Sequence, residues 1–165
     1  MLSLTNLESW YGRSRALNGI SLDVPEGKIT GIAGRNGTGK TTLLKTIMGL
    51  TDSAKGVVRL GGRDISTAPT HVRARAGIAY VPQGRGIIPD FTVRENIVMG
   101  GFANRAGKRA VPEIVPELFP YLAENMDRRG GLLSGGQQQQ LAIAPALAAE
   151  PGVVVLDAPN AGIQP

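Results

Sequence analysis

The sequence predicts an α/β fold, and two observations carry that prediction. An apolar run at 28–33 leads into the glycine-rich stretch 34–41 and then into a helical pattern at 42–48, which is the order strand, loop, helix. Before this unit, the stretches 2–10 and 16–24 alternate in hydropathy as half-exposed strands do. Their connections are too short for parallel crossovers. We therefore predict antiparallel strands in front of an α/β core.

The composition is that of a globular domain. The chain has 165 residues, 42% of them hydrophobic, and no cysteine, which excludes disulfides and thiolate metal sites. No apolar run approaches the roughly 20 residues of a membrane-spanning helix, and the N-terminus lacks a signal-peptide pattern. We expect any connection to a membrane to run through a partner.

The net charge raises the question of nucleic-acid binding. It is +5, but the basic residues are dispersed and aromatic residues make up only 4% of the chain. Without a basic patch interleaved with aromatics, a solvated basic surface is the better interpretation. We expect no nucleic-acid partner.

The stretch Gly34–Thr41 fits the pattern G-x-x-x-x-G-K-[ST]. In such a loop the backbone N–H groups converge on phosphate oxygens, and the helix start adds partial positive charge. Lys40 can reach the β- and γ-phosphates, and the Thr41 hydroxyl can bind Mg²⁺. An ordinary glycine-rich turn is the alternative, but the flanks and the complete GK[ST] argue against it. The predicted nucleotide-binding residues of this stretch are Gly34, Arg35, Asn36, Gly37, Thr38, Gly39, Lys40, Thr41 and Thr42.

The elements after the loop alternate between strands and helices. The predicted order is a strand at 56–60 with a tight turn, a short helix at 69–75, a strand at 78–81 that ends at Pro82-Gln83, helical patches at 92–99 and 113–123 within a proline-containing insertion, a helix at 133–149 and a strand at 153–157. The last run is continuously apolar, as a strand buried on both faces would be. It ends in Asp157, and a carboxylate in that position holds Mg²⁺ together with the loop hydroxyl in P-loop NTPases.

A third motif is Leu133-Ser134-Gly135-Gly136-Gln137. Taken alone it is a serine N-cap followed by two glycines at a helix start. Between a phosphate loop and a strand-ending aspartate, however, it resembles the signature sequence of ATP-binding cassette (ABC) proteins, and Gln83 resembles their Q-loop glutamine. The resemblance covers the chain from end to end.

The resemblance implies a site shared between two subunits. In that family each ATP lies between the phosphate loop of one subunit and the signature helix of the other, in a head-to-tail dimer. Tyr11 would stack on the adenine, and Lys40, Gln83 and Asp157 would be the catalytic residues. Thr41, Gln83 and Asp157 would contact Mg²⁺, while Leu133, Ser134, Gly135, Gly136 and Gln137 would complete the partner's site.

The resemblance also implies partners and a location. The chain would be a partial ABC ATPase domain with a β-subdomain and P-loop core at 1–83, a helical subdomain at 84–131, and the signature helix and aspartate strand at 132–165. The helical subdomain would dock on integral membrane permease subunits, at the cytoplasmic face of the plasma membrane. A periplasmic or extracellular substrate-binding protein would take part indirectly.

Shorter segments suggest a transported substrate. The stretches 80–85, 92–96, 137–140 and 162–165 resemble ATPase subunits of importers for urea and short amides. Importers for branched-chain amino acids are close relatives of these and remain the alternative. We therefore predict ATP-driven uptake of urea or short amides, with branched-chain amino acids second.

The chain departs from the family pattern at three points. Ala158 stands where the family has a catalytic glutamate, and Asn160 and Ala161 also differ from the usual residues. Pro145 lies inside the predicted signature helix, which we expect it to kink or end. The chain stops at Pro165, so the family's later elements and its γ-phosphate-sensing histidine are not in this sequence.

Three functions follow as alternatives: a transport-coupled ATPase, an ATP-binding module with weak or absent turnover, and an ABC protein acting on nucleic acid or ribosomes. The single short helical insertion and the lack of a second cassette or a basic arm argue against the third. Alanine at 158 can neither orient water nor accept a proton, so we expect ATP binding to persist better than hydrolysis.

Overall fold

The computed structural model describes residues 1–157, and the chain falls into two compact units, Met1–Ala76 and Gly77–Pro165. Ala158, Asn160 and Ala161 therefore lie outside the described residues. The first unit contains β1 (Leu2–Tyr11), β2 (Ser14–Val24), α1 (Lys40–Met48), β3 (Ser53–Leu60), β4 (Arg63–Asp64) and α2 (Thr70–Ala76). The second contains β5 (Ile78–Val81), α3 (Val93–Gly100), α4 (Ile114–Leu118), α5 (Pro120–Glu124), α6 (Gly135–Ala148) and β6 (Val153–Leu156), with 3₁₀ turns at Gly101–Ala103 and Gly130–Leu132. The α/β class is confirmed.

The first unit is built on an antiparallel sheet with the strand order β2-β1-β3-β4. The alternating leucines of β1 are buried against the rest of the unit, and Leu2 pairs with both Val24 and Leu60. Gly56 sits where the β1–β3 register shifts, with φ at 99°, and a Cβ there would lie 2.7 Å from the Thr5 carbonyl oxygen. The predicted antiparallel pair at the N-terminus is confirmed.

The predicted strand at 28–33 is absent from the described structure. Residues 28–35 adopt no regular secondary structure, Ile29 is fully exposed and Ile32 is 38% exposed. A strand is defined by hydrogen bonds to a neighbouring strand, and neither of the two described sheets includes this segment. Residues 28–33 have the apolar composition of a strand, but the prediction that they form a buried strand is wrong for this structure.

Arg73 on α2 closes the C-terminal end of α1. Its guanidinium is buried and donates hydrogen bonds to the carbonyl oxygens of Thr46 (3.0 Å) and Ile47 (2.8 Å), where the helix leaves carbonyls unsatisfied. It also donates to Ser66 O (2.6 Å) and Ala68 O (2.8 Å). Burial lowers the pKa of Arg73 from its ordinary value because desolvation disfavours the charged form. One side chain thus joins α1, α2 and the connection before α2.

Replacing Arg73 by methionine should destabilise the protein by about 3 kcal/mol, because several carbonyls lose a charged donor in a buried place. The free energy of unfolding from urea titration measures this. Arg75→Met, at an exposed position on the same helix, is the matched control and should cost no more than about 1 kcal/mol, the usual upper range for an exposed charged side chain. Equal losses for the two variants would contradict the role given to Arg73.

In the second unit β5 and β6 form a parallel pair, with Ile78 opposite Val153 and Val81 opposite Leu156. Ala79 and Val81 pack against Ala142 and Ala146 of α6. The prediction that the β6 run is buried on both faces is wrong: Val155 is buried, whereas Val154 and Leu156 are 38% and 39% exposed. Within residues 1–157, β6 pairs with β5 alone, so its other edge has no strand beside it.

The helical part of the second unit has its own core, centred on α3 and α6. The residues that share this core are Val93, Ile97, Val115, Leu122, Leu133, Leu141, Ala144 and Ala148. Both long helices begin with a capping box, Thr92 with Glu95 and Ser134 with Gln137, as their sequences indicate. Hydrogen bonds from the backbone N–H and hydroxyl of Thr92 lower the pKa of Glu95.

Pro145 does not end the signature helix, contrary to one of the two outcomes expected from the sequence. The helix α6 continues to Ala148, so the missing N–H of Pro145 removes one backbone hydrogen bond. The helix continues because Ala144 and Ala148, on either side, are buried in the helical core. Gly100 at the end of α3 lies directly against the Pro145 carbonyl, where no side chain would fit.

No helix within residues 1–157 is long and apolar enough to cross a membrane.

Candidate nucleotide-binding site

The glycine-rich loop of the first unit leads directly into α1, as predicted. The helix begins at Lys40, and its N-cap Gly39 has φ at 93° and makes no side-chain capping bond. No acidic residue lies in the first turn. The N–H groups of this turn therefore face the loop without a competing carboxylate or hydroxyl cap, which is the arrangement that favours an anion.

Two glycines of the loop are required by geometry. Gly37 adopts φ at 81°, a left-handed conformation that residues with a side chain rarely adopt. At Gly34 a Cβ would lie 2.9 Å from the Thr38 hydroxyl oxygen, so any side chain would displace Thr38. The backbone of the loop is thereby exposed to whatever occupies its concave side.

Lys40 is held by the loop that it follows. Its Nζ donates to the carbonyl oxygens of Gly34 (2.6 Å) and Arg35 (2.7 Å), and the Thr38 hydroxyl donates to the same Arg35 oxygen at 2.8 Å. The ammonium group thus lies at the loop rather than in solvent, next to the exposed residues Arg35, Asn36 and Thr38. These residues fit a polyphosphate, because charge and backbone donors converge without a nearby acid.

Tyr11 lies at the end of β1, at the hairpin to β2, and is 39% exposed. The hairpin is pinned by Gly12, whose N–H donates to Asp52 Oδ2 at 2.6 Å. An exposed aromatic on a fixed turn is available for stacking on a base. The neighbouring Trp10 is occupied by cations instead, with Lys55 Nζ at 5.5 Å from its ring centre.

In the second unit the structure brings Gln83 and Asp157 to the same edge of a sheet. Asp157 follows β6 directly, and Gln83 lies two residues after β5, which is parallel to β6. Asp157 is buried, its N–H donates to Val81 O at 2.9 Å, and the Tyr80 hydroxyl donates to its Oδ2 at 3.1 Å. Gln83 is exposed. The carboxyl ends of parallel strands are where α/β proteins bind ligands.

The signature motif forms the start of α6. Leu133 is buried in the helical core and anchors the motif, while Ser134 is the N-cap. The Ser134 N–H donates to Gln137 Oε1 at 2.8 Å, and the Gln137 N–H donates to Ser134 Oγ at 3.4 Å. Gly135 and Gly136 are exposed. The motif therefore presents a helix start with small residues at its tip.

Within residues 1–157 no group of three or more His, Cys, Asp or Glu side chains could hold a metal. Thr41 and Asp157 offer a hydroxyl and a carboxylate, which are oxygen ligands of the kind that Mg²⁺ prefers. Magnesium commonly keeps few protein ligands and binds substrate phosphates in addition, so each of these groups has the chemistry of a ligand for an ion that arrives with a nucleotide.

Sequence reasoning missed two side chains around these motifs. The Tyr80 hydroxyl contacts Asp157, and the Arg85 guanidinium donates to Gln138 Oε1. Tyr80 could have been found from its place on the strand beside β6. Nothing in the pattern of residues 84–86 predicts the contact of Arg85, because it joins residues 53 positions apart.

Comparison with known proteins identifies the family. Residues 17–161 match the family described as ABC transporter. The high-affinity branched-chain amino acid transport ATP-binding protein BraG of Pseudomonas aeruginosa is 40% identical over 166 residues, with 100% of this chain and 71% of that protein covered. The probable branched-chain amino acid transport ATP-binding protein LivF of Archaeoglobus fulgidus is 37% identical, covering 100% and 70%. A Nod factor export ATP-binding protein I of Burkholderia lata is 39% identical, but only 54% of its length is covered.

Solved structures agree with the sequence comparison. The crystal structure of the ADP conformation of an ATP-binding cassette of an ABC transporter has a TM-score of 0.83 and 30% identity, covering 99% of this chain and 70% of that chain. A dimeric post-hydrolysis state of another cassette, bound to ADP and phosphate, has a TM-score of 0.79 and 27% identity, covering 99% and 76%. The chain therefore belongs to the ABC transporter family, as an ATP-binding subunit with the ABC ATPase fold.

Proposed function

We propose that this chain is the ATP-binding subunit of an importer for branched-chain amino acids. The observation that carries the proposal is the loop of the first unit, in which the Lys40 ammonium group and an uncapped helix start lie at exposed loop backbone. The substrate class rests on the two branched-chain relatives, which match the whole chain and about 70% of their own lengths. The predicted preference for urea and short amides has no support among the relatives compared, and branched-chain amino acids fit better.

The loop residues 34–42 would bind the phosphates of ATP. Lys40 would turn from the Gly34 and Arg35 carbonyls, which it now contacts, to the β- and γ-phosphate oxygens, with Thr41 binding the accompanying Mg²⁺. Tyr11 would stack on the adenine. The fit of Lys40 is electrostatic, because charge-assisted hydrogen bonds to phosphate are about twice as strong as neutral ones.

The residues of the second unit would supply the catalytic and partner-facing groups. Asp157 would bind Mg²⁺ through a carboxylate that Tyr80 already orients. Gln83 would contact the ion or the attacking water from the same sheet edge. The residues Ser134 to Gln137 would face the ATP of a second ATPase subunit in a head-to-tail dimer. A related cassette, bound to ADP and phosphate, is known as a dimer.

Hydrolysis would be the weak step. Phosphoryl transfer to water depends on positioning, on charge stabilisation and on a group that orients or deprotonates the water. Lys40, Thr41 and Asp157 supply the first two, while position 158 carries alanine. We propose that the chain binds ATP with ordinary affinity and turns it over slowly.

The partners would be a second ATPase subunit and permease subunits of the importer, at the cytoplasmic face of the membrane. The helical subdomain proposed at 84–131 has exposed apolar side chains for such a contact, including Phe102 (55% exposed), Ile114 (45%) and Leu118 (52%). The periplasmic or extracellular substrate-binding protein would contribute only through the permease.

A photocrosslinker in place of Arg94, whose side chain is 57% exposed, tests this partner. It should capture the purified permease pair of a branched-chain importer at least about tenfold more than that of a urea importer, a difference of ~1.4 kcal/mol. The control is the same crosslinker at Glu26, an exposed residue of the first unit. Equal capture of both permease pairs, or preference for the urea permease, would contradict the proposed substrate class.

A further inference from the structure

The loop after Gln83 is joined to the signature helix by one side chain. Arg85 donates a hydrogen bond from Nη1 to Gln138 Oε1, across 53 residues of chain. The second terminal nitrogen of the guanidinium, Nη2, lies close to Gly135: a Cβ added to that glycine would be 3.4 Å from it. Arg85 therefore contacts the first turn of the helix whose N-terminus carries the signature motif.

The loop is held in a shape that few sequences adopt. Gly84, Arg85 and Gly86 have φ of 89°, 74° and 64°, and the Gly86 N–H donates to Gly84 O at 3.0 Å. For a residue with a side chain, the left-handed conformation costs about 1–2 kcal/mol. The cost at Arg85 is offset by a specific contact that directs its guanidinium onto α6.

Gln138 also contacts the segment before the signature motif. Its Nε2 faces the carbonyl oxygens of Gly130 and Gly131, at 3.4 and 3.5 Å. Because Arg85 can only donate and these carbonyls can only accept, the partners fix the orientation of the amide. Gly131 in turn donates to Pro89 O at 2.9 Å, so the segment on either side of the signature motif is tied to the segment after Gln83.

We propose that Arg85 is a positioning residue that makes the Gln83 loop and the signature helix move together. A loop that shifts when Gln83 contacts Mg·ATP would pull on the first turn of α6 through Gln138, and would turn the exposed Gly135-Gly136 tip with it. This rests on the proposed function, because it is ATP that shifts the loop. It assigns to Arg85 no contact with the nucleotide.

Hydrogen–deuterium exchange tests the link in four variants: Arg85→Met, Gln138→Leu, the double variant, and Gln139→Leu as the matched control one residue along the same helix. Without nucleotide, Arg85→Met should speed exchange at 136–138 about fivefold, and Gln138→Leu should do the same at 85–88, since both segments lose a local restraint. The double variant should match the single variants, as members of one contact are not additive. Gln139→Leu should leave 85–88 unchanged.

With Mg·ATP, the parent chain should slow exchange in both segments, whereas Arg85→Met should slow it only near Gln83. The link is wrong if Gln139→Leu acts like Gln138→Leu, if the single effects add in the double variant, or if 136–138 still responds to ATP in Arg85→Met. A parent chain that binds no ATP would contradict the proposed function instead, and the nucleotide-free comparison would still decide the link. A melting temperature measured for each variant separates these effects from general unfolding.

Discussion

Replacing Lys40 by alanine is expected to abolish binding of Mg·ATP. The loop itself holds this ammonium group, through the carbonyls of Gly34 and Arg35, and in the proposed site its charge would act on the same phosphates as the backbone donors. We expect a loss of at least about 100-fold in affinity, or ~2.7 kcal/mol, by calorimetry.

Lys45→Ala is the matched control, because Lys45 lies in the last turn of the same helix. It should bind ATP as the parent does. If Lys40→Ala keeps its affinity within about twofold of the parent, a change of only ~0.4 kcal/mol, the loop at 34–41 is not the phosphate site.

Replacing Ala158 by glutamate is expected to give the second large effect, on phosphate release. A positioned general base contributes roughly 10²–10⁴-fold to rate, and every other catalytic residue of the proposal is present in the sequence. Provided that the family's C-terminal elements are supplied too, the rate should rise at least about 100-fold, while ATP affinity changes little. Ala158→Gln introduces a side chain of the same size as glutamate that cannot accept a proton. This variant should recover much less of that rate.

The comparison is best made in two backgrounds, the chain of 165 residues and a chimera continued with the C-terminal residues of the Pseudomonas aeruginosa relative. That relative is 40% identical to this chain over the shared region. Equal phosphate release with alanine and glutamate in the chimera would show that position 158 is not the catalytic one.

Much of the fold could be predicted because its signals are local. The GK[ST] pattern followed by apolar helical spacing and Gly49 gives both ends of α1, and Gly49 does adopt the left-handed C-cap conformation, at φ 70°. Thr92 with Glu95 and Ser134 with Gln137 give the starts of α3 and α6, since a capping box is read within four residues.

The errors concern what lies beside a segment. Residues 28–33 have the composition of a strand, but a strand also requires a neighbouring backbone, which sequence periodicity does not report. The same holds for β6, whose continuous apolar run indicates two covered faces although Val154 and Leu156 are half-exposed. The intrinsic cost of Pro145 predicts a kink or an end of the helix, whereas the packing of Ala144 and Ala148 decides that the helix continues.

In the candidate site, too, local signals could be predicted from the sequence and long-range contacts could not. Each motif could be found from its own residues, including Lys40, Asp157 and Ser134. Long-range partners such as Arg73 for the end of α1 and Arg85 for Gln138 could not, because no local pattern encodes a contact across tens of residues. The transported substrate was harder still, since the phosphate chemistry is common to the whole family and constrains nothing about the cargo.

Binding of ATP and release of phosphate, measured on one sample of the parent chain, test the central claim most directly. We predict saturable binding of Mg·ATP that Lys40→Ala removes, together with phosphate release at least about 100-fold slower than in the chimera that carries Ala158→Glu. Binding without turnover would support an ATP-binding ABC subunit whose chemistry is limited at position 158. Absence of saturable ATP binding by the folded parent chain would contradict that account.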